Sequence, residues 1–86
     1  MSALFVHPRI HRKHPDVSDE DVRHVMRSMI AHQQRETGEW VAVGVDGNSR
    51  LLELVYAYDE EEEAFLVYHG MTPPSRKTLQ ELGLER

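Results

Sequence analysis

The sequence predicts an α+β domain, a three-stranded antiparallel meander flanked by helices in the order α-β-β-β-α. Three observations lead there. Val22, Val25, Met26, Met29 and Ile30 recur at spacings of three and four, which makes one apolar stripe on a helix. The period then changes to two in "EWVAVGVDGNSRLLELVYAY", where two strand-like runs flank the turn residues Asp46-Gly47-Asn48-Ser49. A third alternating run, "AFLVYHGM", follows the unbroken acidic stretch 59–63.

The first helix has the clearest boundaries. Ser18 is a good N-cap, with Asp21 three residues on in the manner of a capping box. Asp19, Glu20 and Asp21 put negative charge at the positive end of the helix dipole. Gly38 is a natural stop, so the spacing predicts a helix over about 19–36. In the hairpin, Val45 is expected to face Arg50, Val43 to face Leu52 and Val41 to face Leu54. If Tyr58 then faces Ala64, Glu53 lies directly across from His69, and a one-residue slip would part them. After the third strand, Pro73 and Pro74 suit the entry to a helix capped by Thr72 or Ser75, with Leu79, Leu82 and Leu84 as apolar contacts and Gly83 at its end. Both faces of such a sheet are apolar. Either the N-terminal "ALFV" folds over the second face, or another chain covers it and the protein is a homodimer.

The chain has 86 residues and is read as one small domain spanning 1–86, with a basic N-terminal segment over 1–15 and an acidic turn over 59–63. It has no cysteine, which excludes disulfides, thiolate metal sites and cysteine nucleophiles. With no signal-peptide pattern either, a cytoplasmic location is expected. The apolar runs are strand-sized, so no membrane span is expected. The net charge is -5, but its distribution is uneven. Without the acidic turn the ten bases face ten acids, and "HPRIHRKH" carries three bases and no acid. A nucleic-acid partner is therefore compatible with the charge pattern.

The chemistry concentrates in "VYHGMTPPSRKTLQEL". A helix that opens with Arg76-Lys77 sets two cations against its own dipole, an arrangement that a bound phosphate would reverse. His69 precedes this point by a few residues, and histidine suits proton transfer near neutral pH. Metal-independent RNA cleavage needs such a group together with cations on the phosphate, and Glu53 is placed to orient the imidazole. His7, His11 and His14 are interrupted by Pro8 and offer no telling carboxylate, so no metal or other cofactor is expected. Tyr56, Tyr58, Tyr68 and Trp40 are candidates for base stacking or for the core.

In this context three segments resemble BrnT-like toxins, which are small ribonucleases of type II toxin–antitoxin pairs with a RelE-like fold. "RKHPDVSDEDV" resembles their "KHGVS-x-E-x-A" opening, and "WVAVGVDGNSRLLELVY" resembles a hairpin that leads into "RLL-x-VVY". "HGMTPPSRK" resembles their last strand and the helix start after it, usually "SAR-x-A-T-x-R-E". The similarity runs over about residues 11–80 in the same order. Pro15 stands where the family has glycine, and Gly70-Met71 where it often has arginines.

The resemblance implies a RelE-like fold, RNA as substrate and a cognate antitoxin as partner. Arg12, Lys13, His14 and Arg50 would then bind RNA. His69 would transfer protons, oriented by Glu53, and Arg76 and Lys77 would stabilise the transition-state phosphate. The alternative is a non-enzymatic, degenerate toxin-fold domain that dimerises or binds a partner protein.

Overall fold

The computed structural model describes residues 2–85. The fold is α+β: a five-stranded mixed sheet carries three helices. In chain order the elements are β1 (Ala3–Val6), α1 (Arg9–Lys13), α2 (Asp19–Arg27), β2 (Met29–Gln34), β3 (Trp40–Val45), β4 (Leu51–Asp59), β5 (Ala64–Met71) and α3 (Arg76–Glu81). The strand order is β1-β5-β4-β3-β2, with β1 parallel to β5 and the other pairs antiparallel. The three-strand, α-β-β-β-α expectation is thus corrected by two further strands, one at each edge.

The first added strand comes out of the predicted long helix. α2 starts as the sequence indicates, with Ser18 and Asp21 forming a reciprocal capping box. It ends at Arg27 rather than near residue 36, and residues 29–34 become β2. Met29 and Ile30 keep the helical spacing, but β3 offers a full row of backbone partners, and that pairing overrides a local preference worth tenths of a kcal/mol per residue. Gly44 makes the junction fit: a Cβ there would lie 2.8 Å from Val25 Cγ1 and 3.0 Å from the Met29 backbone. The second added strand is "ALFV", which does not fold over a face. It extends the sheet beside β5.

The predicted register fails twice, in ways that matter for the site. Val45 pairs with Leu51, not Arg50, because the β3–β4 loop takes one more residue and turns through Ser49 in the left-handed region (φ 63°). Ala42 therefore shares a face with Leu54, and Val43 with Glu53. In the second hairpin Asp59, not Tyr58, pairs with Ala64, and the register shifts again between Val55 and Tyr56, leaving Tyr68 as the extra residue of a bulge. The two shifts together move β5 by two residues against the predicted register. Glu53 faces Met71 and Val55 faces His69. Because side chains alternate with period two, Glu53 and His69 still share a face, now as diagonal neighbours.

The core lies on the face covered by α1 and α2, where Ile10, Val17, Val22 and Val25 meet Ala42, Leu52, Leu54, Tyr56 and Val67. On the opposite face Val41, Val43 and Val55 are buried, and the segment 75–81 reaches over them with Thr78 buried as well. Arg35, at the β2–β3 turn, holds α3 there through a two-pronged pair with Glu81, both N···O distances being 2.9 Å. Gly44→Ala is expected to destabilise the protein by about 1–3 kcal/mol, because Val25 and the α2–β2 junction must shift to admit a methyl group. Urea unfolding followed by circular dichroism would measure it.

Candidate active site

Glu53 anchors the site. It lies in the middle of β4 with only 5% of its surface exposed. Its Oε2 lies 2.8 Å from His69 Nε2, and its Oε1 accepts the backbone N–H of Ser75 at 2.7 Å. Burial works against the charge, but the hydrogen bonds from His69, Ser75 and Thr78 outweigh it and hold the Glu53 pKa down to about 2. An ionised carboxylate only accepts. The His69 Nε2 therefore carries a proton and donates it, and Nδ1 is the nitrogen left for other work in the neutral ring.

His69 is part-exposed, with 30% of its side chain open, and lines a cavity of about 380 Å3 on the α3 side of the sheet. Arg9, Arg35, Tyr68, Lys77 and Thr78 line the same cavity. The bulge explains how Tyr68 and His69, adjacent in the chain, both reach it. Arg9 arrives from α1, which packs beside β5. β1 pairs only with residues 64–67, so the upper half of β5, where His69 sits, is left to α1. His14, at the end of α1, meets the His69 ring edge-on with centroids 6.2 Å apart.

The reversed charges at the start of α3 are answered from inside the protein. Ser75 caps the helix, its hydroxyl accepting from the Thr78 N–H, while its own N–H points at Glu53. The anion at this helix start is a carboxylate of β4, which replaces the expected phosphate. Arg76 turns outward, 77% exposed, and pairs with Glu85 at 2.6 Å. It does not line the His69 cavity, and its expected place beside that imidazole is corrected on that ground. Lys77 does line it, with no ion pair among the described residues.

The other sequence candidates divide. Arg12 and Lys13 are exposed on α1 and free of ion pairs among the described residues. Arg50 is occupied. Its guanidinium meets Asp46 at 2.8 Å, Asp21 at 3.0 Å and Asp16 at 3.9 Å, tying the β3–β4 loop to the start of α2. Asp46 is buried there. Burial opposes its charge, but the backbone N–H groups of Arg50 and Asn48 and the guanidinium keep its carboxyl below the usual range. An RNA-binding role for Arg50 is set aside for that structural one. His7 Nδ1 accepts the Arg9 N–H and His11 Nδ1 bonds to the Val17 carbonyl; among the described residues no group of three His, Asp or Glu is placed to hold a metal.

No family model, curated protein or solved structure matches this chain. No helix among the described residues is long and apolar enough to cross a membrane.

Sequence reading missed Arg9 and Arg35 as site residues, and offered Tyr68 only for base stacking or the core. Only the composition of "HPRIHRKH" hinted at Arg9, and nothing local marks Arg35, whose position depends on a β2–β3 turn that the local spacing assigns to a helix.

The Glu53 pKa in the folded protein lies below its ordinary 4.5, so the stability it supplies is complete above that pH and drains away as pH falls toward 2. About 3 kcal/mol rides on this linkage. Glu53→Gln is expected to remove most of it at pH 7 and to flatten the acid limb of stability between pH 4.5 and 2, measured by urea melts across that range. Arg50→Met leaves Asp46 a buried charge without its counterion, and is expected to lower stability by about 2–3 kcal/mol in the same assay at pH 7.

Proposed function

We propose that the protein is a toxin-like, metal-independent endoribonuclease. The observation that supports this most is a part-exposed imidazole whose tautomer is set by a buried carboxylate, in a cavity that also receives Lys77 and Arg9. The 2'-hydroxyl of RNA attacks the adjacent phosphorus, and its proton passes to His69 Nδ1. The bond from phosphorus to the 5'-oxygen breaks, leaving a 2',3'-cyclic phosphate and a 5'-hydroxyl. His14 is the second imidazole within reach and supplies the proton to the leaving oxygen. Lys77 and Arg9 face the extra negative charge that develops on the phosphate. Arg12 and Lys13, exposed on the same short helix as Arg9, bind backbone phosphates further along the strand. Glu53 is a positioning residue that holds the imidazole and does not touch substrate.

The RelE-like fold and the BrnT-like kinship belong to this reading, carried by the order of the three sequence segments and by the antiparallel run β3-β4-β5. So does a cognate antitoxin, a partner protein that would cover the basic α1 surface.

The purified protein is expected to cut single-stranded RNA in excess EDTA and to release ends with 2',3'-cyclic phosphate. His69→Ala is expected to slow the reaction by about 10²–10⁴-fold, whereas Arg76→Ala leaves it within a few-fold of the parent. Cleavage by His69→Ala at the parent rate would remove the assignment.

A second reading, a non-enzymatic toxin-fold domain that dimerises, has one observation in its favour. Phe5 is 58% and Leu66 40% exposed, and they are register partners on the α3 side of the sheet. Under this reading the sedimentation coefficient rises with concentration and Phe5→Ser abolishes the rise, with no RNA cleavage at any concentration.

A further inference from the structure

The α3 side of the sheet carries a strip whose chemistry changes along its length. At one end is a cavity of about 530 Å3, lined by Ala57, Tyr58 and Leu66 together with Asp59, Glu60 and Glu61. Ala57 and Leu66 are register partners on β4 and β5, and Leu66 is also the partner of Phe5 on β1. The three form an apolar row across neighbouring strands, with Phe5 58% and Leu66 40% exposed. The residues on either side of them in β1 and β5 alternate to the other face and pack with the core.

β1 and β5 both run away from the acidic turn. The Ala3 N–H donates to the Glu63 carbonyl at 3.1 Å, so the two strands start together beside it. Beyond Val6 the chain passes through His7 and Pro8 into α1. Arg9, Arg12 and Lys13 stand at spacings of three and four, which puts them on one side of α1, away from the buried Ile10. Arg9 reaches the His69 cavity, so that side of α1 looks out over the α3 face. Along this edge of the sheet the order is therefore acids, apolar row, bases, with Phe5 between the charged ends. Glu60, Glu61, Arg12 and Lys13 are exposed and have no ion-pair partner among the described residues.

A strip of this order is complementary to itself when turned end for end. A two-fold axis near Phe5 lays the apolar row of one copy on that of another, and sets the bases of each on the acids of the other. A parallel arrangement would bring like charges together, which repel. A basic peptide answers the acids and leaves α1 unanswered, a polyanion does the reverse, and an uncharged apolar segment uses neither end.

We propose that this strip docks a second copy of the chain, antiparallel, with Arg12 and Lys13 of each protomer against Glu60 and Glu61 of the other. The dimer rests on the exposed Phe5–Leu66 pair that favours the second reading above, adds an orientation and a charge code to it, and does not require the protein to lack activity. The cations assigned above to backbone phosphates are then covered by the protein's own acids, so the dimer is the closed form of that surface.

Charge exchange tests the arrangement. Glu60→Lys with Glu61→Lys makes both ends basic, and Arg12→Glu with Lys13→Glu makes both ends acidic. All four positions are exposed, and Asp59 is left in place because its carboxylate accepts the N–H groups of Glu61 and Glu62 and holds the turn. Sedimentation velocity of the intact chain is the readout, with circular dichroism to check that each variant folds. The parent is expected to self-associate, less strongly as salt rises. Each double variant alone is expected to associate about tenfold more weakly. An equimolar mixture of the two is expected to form a one-to-one dimer, since every acidic end then meets a basic one. A chain carrying all four changes keeps the parent's net charge and is expected to associate like the parent, because its strip is inverted but still complementary.

A mixture no more associated than either double variant alone would overturn the antiparallel arrangement. Association that survives the charge changes but is lost in Phe5→Ser would leave the apolar row as an interface and overturn the charge code. A parent that stays monomeric at every concentration would remove this dimer and the second reading together.

Discussion

A carboxylate buried in the middle of a sheet is unstable unless several donors converge on it, and Glu53 draws them from two parts of the chain. His69 comes from the next strand, and Ser75 and Thr78 from the segment beyond it. Those bonds fix where the chain goes after β5. Residues 72–75 fold back so that the Ser75 N–H, at the cap of α3, reaches Glu53 on β4, and Arg35 then secures the far end of α3 through Glu81. The same bonds determine which nitrogen of His69 remains free. Fold and candidate chemistry thus rest on one ionised group, and an uncharged substitute would loosen both.

The sheet separates two kinds of surface. Its α3 side holds an imidazole, a carboxylate and several cations, and its other side, beyond the two helices, holds a cluster of aromatic rings. Charge, too, is distributed unevenly along the chain. The net charge is -5, yet five of the acids sit on the turn that leads into β5, and His69 lies near the other end of that strand in a cavity it shares with Arg9 of α1. A net charge describes the average field at a distance, while within a Debye length of about 10 Å the local sign decides what approaches.

The bulge at Tyr68 is the irregularity that makes the site possible. A one-residue change in a hairpin loop exchanges the two faces of a strand, and the second hairpin has one such change in its turn. Alone, that change would have sent His69 to the helix-covered core. The extra residue at Tyr68 restores the parity and adds a second side chain to the cavity.

Much of the framework is legible in the residues. Ser18 and Asp21 mark the start of α2 by their capping chemistry, Asp46-Gly47-Asn48-Ser49 marks the hairpin, and Pro73-Pro74 marks the passage into α3. The conjunction of Glu53 and His69 is legible too, though through a register two residues away from the observed one. The rest are outcomes of competition across the molecule. Residues 29–34 carry a helical spacing, yet pair as β2 because β3 offers an open edge and Gly44 lets the junction approach. Arg76 and Lys77 stand side by side and look equivalent; Glu85 draws one outward and the fold of α3 leaves the other in the cavity. Arg50 carries the charge of an RNA contact, but three carboxylates reach it first. Local sequence by itself determined the caps, the turns and the amphipathic periods, because those depend on backbone groups within one turn of each other. Edge pairing, register parity and the partner of each charge were decided only by the tertiary structure, because they depend on which distant groups arrive within hydrogen-bonding distance.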